Sequence, residues 1–308
     1  MDRTTQLAET VLIGRDSWLF QKDEGALDQL TGVIEYSTSE CRMWKYTLEN
    51  RTAWLQQLGV RYCFLIVPEK HVIYSDKLPP AVAISDDRPV ASILRYLQSE
   101  RCRASICYPV TTLTSSRAIR DTYCKLDTHW NWYGAFLASR ELCSYFQIDL
   151  DAVFPQDSLE YTWIDHTGDL AVRLDPEPTG KEIVARLKRQ KAAKIFENRA
   201  YSRGNVVIYE NPDHSLPRAV VFRDSFGSWM FPFLAEALSR IVAVSSTEMY
   251  FELIEAEKPD IVFTQTVERY ISPFGALPPP DDIRAQPFES FCNMTISDIV
   301  RTTRLARS

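Results

Sequence analysis

The sequence predicts an α/β protein with a mostly parallel central sheet. Short apolar runs alternate with segments of helical periodicity along most of the 308 residues, and the first run, 60–67, is apolar throughout. A continuous apolar run is typical of a strand buried on both faces, and alternation of strands with helices favours parallel connections. The composition, 45% hydrophobic and 25% charged, is that of a globular protein with enough chain for a sizeable core.

The first half of the chain supplies two strands and two helices in this scheme. The run 60–67 ends at Pro68, and we expect a helix over 89–100 and a short strand over 105–108. A long helix is predicted over 128–146, with Thr128 or Asp127 as its N-cap. Its apolar residues recur with helical spacing: Trp132, Tyr133, Phe136, Leu137, Leu142, Tyr145 and Phe146.

The second half repeats the alternation. Strands are predicted over 206–209, 219–222, 241–244 and 261–265, and helices over 226–240 and 247–257. Pro232 is tolerable only in an early turn of its helix or at a kink. The segment 277–282 reads as a linker, and 281–308 as a C-terminal tail that frays. We therefore expect one domain spanning residues 1–308.

Charge and hydropathy exclude some function classes. The 35 basic and 41 acidic residues give a net charge of −6, which argues against a general attraction to nucleic acid. No apolar run approaches the roughly 18–20 residues of a transmembrane segment, and the first residues show no signal peptide. Between Arg186 and Arg203, however, seven basic residues accompany one acid, Glu197. This segment is either a solvated helix face or a surface for an anionic polymer.

The seven cysteines show no metal-binding spacing: Cys41, Cys63, Cys102, Cys107, Cys124, Cys143 and Cys292. Most are expected to be buried thiols, with a Cys102–Cys107 disulfide left open for an oxidising compartment. The loop around His166 is a weak candidate for a cation site. We expect neither a metal nor a cofactor.

Ser225 is the strongest candidate nucleophile. It follows the strand 219–222 and precedes a helix, so its hydroxyl is expected at the carboxyl edge of the sheet. A helix N-terminus offers free backbone N–H groups that can stabilise an oxyanion. The alternative is a capping role, because Asp224 and Ser225 are both residues that cap a helix well.

His129 is the favoured base among four histidines. Asp127 lies two residues before it and can orient the imidazole, as a catalytic triad requires. A structural histidine at a capped helix start is the alternative. His71 has only Glu69 nearby, and His214 lies in a turn-forming sequence.

These blocks resemble a known family. Asp127-Thr-His129-Trp-Asn131, followed by Arg223-Asp-Ser225-Phe-Gly227, is similar to the alginate O-acetyltransferases of the AlgX/AlgJ type, whose domain is SGNH-hydrolase-like. Segments beginning at Gly14, Val67, Gly168 and Val267 resemble further family blocks, so the resemblance covers roughly residues 14–275. It implies a three-layer α/β/α sandwich and a periplasmic location.

The resemblance also implies roles for individual residues. Ser225 would be the nucleophile, His129 the base and Asp127 its orienting acid. The oxyanion candidates are the N–H groups of Ser225 and Gly227 and, more weakly, Asn131. The substrate-binding candidates are Arg269, Lys188, Arg189 and Lys191.

The implied reaction is acetyl transfer to hydroxyls of an exopolysaccharide such as alginate, through an acetyl-serine intermediate. A membrane-bound acyltransferase would be the partner that delivers the acetyl group. Two alternatives remain at this point: an acetylesterase with the same triad, and a non-catalytic protein that binds polysaccharide during assembly.

Overall fold

The structure, a computed structural model, describes residues 9–155, 158–271 and 287–305. Within these residues the strands are β1 Val11–Ile13, β2 Leu19–Gln21, β3 Arg61–Val67, β4 Ile106–Cys107, β5 Leu159–His166, β6 Gly180–Leu187, β7 Ala193–Glu197, β8 Val206–Glu210, β9 Arg218–Arg223, β10 Arg240–Ser245 and β11 Ile261–Val267.

The α-helices of the same residues are α1 Ala26–Leu30, α2 Thr38–Gln57, α3 Lys70–Ile73, α4 Pro89–Ser99, α5 Val110–Ser116, α6 Trp132–Tyr145, α7 Leu150–Val153, α8 Phe231–Ala237, α9 Phe251–Glu257, α10 Phe288–Cys292 and α11 Ile296–Leu305. Short 3₁₀ turns cover Arg15–Ser17, Ser75–Lys77, Ala171–Arg173, Ser225–Trp229 and Glu268–Ile271.

Seven strands form the central sheet in the order β4-β3-β11-β9-β10-β8-β7. The first five of these are mutually parallel, and β8 runs antiparallel to both of its neighbours. The predicted α/β class with a mostly parallel sheet is therefore confirmed. Because β3, β9 and β11 are parallel neighbours, the segments that follow them meet at one edge of the sheet.

The sheet is buried on both faces. Along β3, Cys63 and Leu65 belong to one apolar core while Phe64 and Ile66 belong to the other. Helices α6 and α8 cover the first face, and α2, α4 and α9 cover the second. The period of two along a strand thus produces two cores and three layers, which explains the continuous apolar run in the sequence.

Helix boundaries differ from the sequence expectation in three places. Helix α6 begins at Trp132 instead of 128, because Asn131 is its N-cap and accepts the N–H of Gly134 at 2.9 Å. The segment 226–240 divides into a 3₁₀ turn and α8, with Pro232 in the first turn of α8. Helix α9 begins at Phe251, four residues later than expected.

The C-terminal segment also differs from the expected tail. The predicted linker 277–282 lies outside the described residues, but α10 and α11 bury Phe288, Cys292 and Ile299 in the second core. The carbonyl oxygen of Ile299 accepts a hydrogen bond from Arg240 at 3.1 Å. These contacts stabilise the segment because they remove large apolar side chains from water.

The basic segment is not a helix. It consists of the end of β6, which pairs with β5 in an antiparallel hairpin, then a loop, and β7 at the edge of the sheet.

The seven cysteines are free; all are buried except Cys102, which is partly exposed. No helix in the described ranges has the length and apolarity that crossing a membrane would demand.

Candidate active site

Ser225 lies at the carboxyl edge of the sheet, directly after β9 and Asp224. Asp224 is the N-cap of the 3₁₀ turn that follows, and its carboxylate accepts the N–H of Phe226 at 2.9 Å. Since Asp224 supplies the cap, the Ser225 side chain is exposed and available to a base. The sequence left both residues open as caps, and the fold assigns that role to Asp224.

Asp224 also ties the serine turn to β11. Its carboxylate accepts hydrogen bonds from the Gln265 side chain at 2.7 Å and from the N–H of Val267 at 2.6 Å. Burial raises the pKa of Asp224, and these donors oppose that rise by favouring the ionised form. Ser225 is therefore fixed relative to two neighbouring strands.

His129 connects Ser225 to Asp127. Its Nε2 atom lies 2.7 Å from Ser225 Oγ, and its Nδ1 atom lies 2.7 Å from Asp127 Oδ1. The same carboxylate oxygen accepts the His129 N–H at 2.9 Å. The structure thus brings together the three predicted residues in the order hydroxyl, imidazole and carboxylate, with the imidazole within hydrogen-bond reach of the other two.

Two neighbouring histidines set the charge state of Asp127. Burial alone would raise its pKa, but the hydrogen bonds from His129 and the nearby imidazole of His166 hold the pKa well below the usual range. His166 Nε2 lies 3.6 Å from Asp127 Oδ2, and that carboxylate raises the pKa of His166. An ionised Asp127 favours the proton on His129 Nδ1, which leaves Nε2 to accept the serine proton.

Asp169 supports the loop that carries Asp127 and His129. Its N–H donates to Asp127 Oδ2 at 3.0 Å, and its carboxylate accepts the N–H and the hydroxyl of Thr128 at 2.7 and 2.6 Å. A Cβ atom on Gly168 would lie 2.1 Å from the Leu126 carbonyl oxygen. Only glycine permits this close approach of the two loops.

Aromatic rings surround the imidazole of His129. The Phe226 and Trp229 ring centres lie 4.5 and 6.0 Å from it, and the Trp229 plane is within 20° of parallel. Trp130 is fully buried, and its indole N–H donates to the Phe226 carbonyl at 3.1 Å. These contacts restrict the ring of His129 and join the histidine loop to the serine turn.

One of the three oxyanion candidates keeps an available donor. Among the described residues, the N–H of Ser225 has no acceptor. The N–H of Gly227 donates to the Asp224 carbonyl at 3.3 Å, and a Cβ atom at Gly227 would lie 2.8 Å from Gln265 Oε1, so this glycine permits close packing. The Asn131 amide is buried and donates to Asp121 and Glu182, which excludes it as a donor to substrate.

The substrate-binding candidates also lie elsewhere than expected. Arg269 is buried in ion pairs with Glu69 at 2.7 Å and Glu24 at 3.1 Å, and its guanidinium lies 5.7 Å from the Phe226 ring centre. It therefore supports the floor of the site instead of facing an open surface.

The basic loop, Lys188–Arg189–Lys191, is at the amino-terminal edge of the sheet. These exposed residues line a cavity of about 520 Å³ together with Glu236 and Asn211. Asn211, which lines the same cavity, follows Glu210, and Glu210 pairs with Arg240 at the amino-terminal start of β10. This places the basic loop at the amino-terminal edge of the sheet. Ser225 lies beyond the other end of β9, whose six residues span about 20 Å.

Three side chains of the types that bind metal ions lie close together in the site. Donor atoms of Asp127, His129 and Asp169 all lie within 4.8 Å of one another. Their polar atoms already have protein partners: His129 Nδ1 bonds Asp127, and Asp169 bonds Thr128. The arrangement is explained by hydrogen bonding, and the absence of a metal requirement stays a prediction.

Sequence reasoning missed several residues that hold the site. Asp169 was noted in the loop around His166 as part of a weak cation-site candidate and in a block resembling the family, and Gln265 was not singled out. Lys70, at the start of α3 and three residues after the end of β3, donates to the Asp127 carbonyl at 2.6 Å. The available signal was position: polar residues just after parallel strands meet at the carboxyl edge.

Comparisons with known proteins agree with this fold. Residues 11–248 match the family model described as the SGNH hydrolase-like domain of the acetyltransferase AlgX. No curated protein sequence matches the chain.

Three solved structures share the fold. Bacillus cereus PatB1 has a TM-score of 0.60 and 15% identity, covering 85% of this chain and 97% of its own. The O-acetyltransferase domain of Pseudomonas putida AlgJ has a TM-score of 0.58 and 17% identity, covering 92% and 98%. A DHHW family protein from Eubacterium siraeum has a TM-score of 0.59 and 13% identity, covering 85% and 95%.

Proposed function

The chain belongs to the family of AlgX-type SGNH hydrolase-like acetyltransferase domains, and on this premise we propose that it transfers acetyl groups to hydroxyls of a polysaccharide. The observation that carries the proposal is the continuous hydrogen-bonded chain from exposed Ser225 through His129 to Asp127. Such a chain activates a hydroxyl that is otherwise a weak nucleophile at neutral pH.

In the first half-reaction, Ser225 Oγ attacks the carbonyl carbon of an acetyl donor. The serine proton passes to His129 Nε2, and the N–H of Ser225 stabilises the negative charge that develops on the acetyl oxygen. The bond to the leaving group then breaks, and that group departs with the proton from His129. The product is acetyl-serine.

In the second half-reaction, a sugar hydroxyl gives its proton to His129 Nε2 while its oxygen attacks the acetyl carbon. The bond from the acetyl group to Ser225 Oγ breaks, and the proton returns to the serine. Asp127 stabilises the imidazolium that forms in each half-reaction. Water in place of the sugar would make the same triad an esterase.

By the family resemblance, the acceptor is an exopolysaccharide such as alginate, and a membrane-bound acyltransferase delivers the acetyl group. A periplasmic location belongs to the same proposal. The similar fold of the O-acetyltransferase domain of Pseudomonas putida AlgJ supports the reaction class by analogy.

The experiment combines a small acetyl ester with an oligosaccharide acceptor. Ser225→Ala and His129→Ala should each lower turnover roughly a thousand-fold or more, and the double variant should be no worse than either. Ser228→Ala is the matched control, since Ser228 is an exposed serine on the same turn. Mass spectrometry of the wild type should find the acetyl group on Ser225.

The distribution of acetyl groups between sugar and water separates the alternatives. Preferential transfer to the oligosaccharide supports the proposal, and release to water alone would identify an esterase. Wild-type turnover in Ser225→Ala would contradict the proposed mechanism, because Ser225 would then not be the nucleophile. No turnover by the wild type or by any variant would favour a non-catalytic polysaccharide-binding protein.

A further inference from the structure

Lys70 is a buried cation whose hydrogen bonds go to the loop that carries the proposed base. Lys70 is only 1% exposed and lies at the start of α3, three residues after the end of β3. Its Nζ atom lies 2.6 Å from the carbonyl oxygen of Asp127, 3.1 Å from that of Cys124 and 3.4 Å from that of Lys125. In the described part of the chain, no ion pair includes Lys70.

Burying an ammonium group is costly unless its donors are satisfied. Here the three N–H donors match three backbone carbonyls within one four-residue segment. The rings of Trp18 and Phe20 lie 5.8 and 5.3 Å from Nζ, where an aromatic face attracts a cation. These contacts connect the backbone of segment 124–127 to the residues that follow β3, at the carboxyl edge of the sheet, and hold that backbone in place.

We propose that Lys70 is a positioning residue for the triad: its ammonium holds the backbone of segment 124–127 so that Asp127 and His129 face Ser225. This inference rests on the proposed function. Lys70 acts through the loop, since its Nζ contacts backbone carbonyls and not the reacting atoms. Its effect is on geometry, where a displacement of about 1 Å can lower a rate about 100-fold.

The charge on Lys70 gives this role a pH dependence. Burial lowers the pKa of Lys70 to about 8, and Asp127, Asp169 and Glu69 oppose that shift, as does the Cys124 thiol when ionised. A neutral amine has two N–H donors for three carbonyls. One contact to the loop is therefore lost as the pH rises through about 8.

Unfolding does not account for a loss of activity in that range. The folded pKa of Lys70 lies below the unfolded value of 10.5, so the unfolded chain binds more protons between the two. The contribution of Lys70 to stability therefore increases as the pH rises through this window. Falling activity together with steady or rising stability identifies an effect on the site.

The experiment compares Lys70→Met and Lys70→Gln with the wild type. The measurements are kcat/KM for a small acetyl ester between about pH 6 and 10, and the rate at which a serine-directed phosphonate labels Ser225. We expect both rates near neutral pH to fall about 10- to 100-fold in Lys70→Met. The fall in activity near pH 8 should be present in the wild type and absent from both variants.

Arg240→Met is the matched control. Arg240 is also a buried cation, but its partners are Glu257 and Glu210 near the opposite edge of the sheet, at 2.9 Å each. Its replacement should lower stability and leave the pH profile of the folded protein unchanged. A profile in Arg240→Met that changes like that of Lys70→Met would overturn the inference.

The inference about Lys70 would also be overturned if kcat/KM of the wild type did not fall near pH 8. This measurement does not depend on the folding of any variant. Labelling of Lys70→Met at the wild-type rate would overturn the inference as well. In both cases, a labelled Ser225 in the wild type would leave the proposed function standing. If the wild type is neither labelled nor active on the ester, the triad itself fails.

Discussion

At Ser225, the availability of the hydroxyl depends on which side chain caps the following turn. Asp224 accepts the Phe226 N–H, so the serine hydroxyl contacts His129 instead of its own backbone. The same principle applies to Asp127, whose oxygens accept the N–H groups of His129 and Asp169. At the scale of single residues, buried carboxylates organise the site, and the serine and histidine remain available.

Glu69 provides a residue-scale prediction about acid stability. Burial alone would raise its pKa, but the ion pair with Arg269 and the contact with His71 lower it to about 2. Because this value lies below the unfolded value of 4.5, the stability from Glu69 is present above that pH and is lost as pH falls toward 2. The loss amounts to about 3 kcal/mol.

We expect Glu69→Gln to be less stable than wild type at neutral pH by roughly 3–5 kcal/mol, because Arg269 keeps a buried charge with one partner removed. The variant should lose less stability than wild type between about pH 5 and 3. Urea unfolding at several pH values measures both effects, with Glu49→Gln as a surface control. Parallel losses in wild type and Glu69→Gln would contradict the prediction.

At the scale of elements, the start of α6 decides where the base can go. Asn131 caps the helix, so Asp127, Thr128 and His129 lie in the loop before it and can turn toward the serine. A helix beginning at 128 would place His129 in its first turn. In the structure it is this loop, and not the helix, that brings His129 to Ser225.

Asn131→Ala tests this structural role. Loss of the cap should destabilise the protein by about 1–2 kcal/mol, with a further cost because buried Glu182 loses one hydrogen bond and keeps that from the Ile183 N–H. Ser37→Ala, which removes the cap of α2, is the control with a similar stability loss and no effect on activity. Thermal unfolding and ester turnover measure the two effects.

We expect kcat of folded Asn131→Ala to fall by less than about tenfold. Removal of an oxyanion donor typically lowers kcat by about 100- to 1,000-fold. A loss of that size with unchanged stability would restore Asn131 as an oxyanion donor.

At the scale of the whole molecule, the sheet separates two regions. The proposed triad lies at the carboxyl edge, and the basic loop Lys188–Arg189–Lys191 lies at the amino edge with Glu236. A small substrate at Ser225 therefore has no contact with these cations. A long anionic chain could reach both regions, since the span is about 20 Å.

Reversing Lys188, Arg189 and Lys191 to Glu should leave turnover of a small ester and transfer to short acceptors unchanged. Binding of a long polyuronate should weaken, and the difference from wild type should shrink as salt is added, because exposed charges are screened over about 8 Å. Binding measured against chain length and salt tests this. An equal loss of binding affinity for short and long acceptors would contradict the prediction, because it would mean that the basic loop acts at Ser225.

The sequence by itself determined most of the central sheet and the three residues of the proposed triad, but it did not predict the edge strand β7. The apolar run ending at Val67 and the alternation of later strands predict parallel strands, because burial on both faces requires continuous apolar residues. Ser225 after a strand, and Asp127 two residues before His129, are local patterns. Such local patterns can be recognised in a sequence because residues that are close along the chain stay close in space.

Only the tertiary structure decided which polar residues support the site and which do not. Lys70, Asp169 and Gln265 reach it because parallel strands and a distant loop meet at one edge, and sequence distance does not encode that meeting. Conversely, Arg269 and Asn131 have the right chemistry, but burial and existing partners commit them to the protein's own carboxylates and backbone. Long-range packing, not residue type, determines which donors remain available to a substrate.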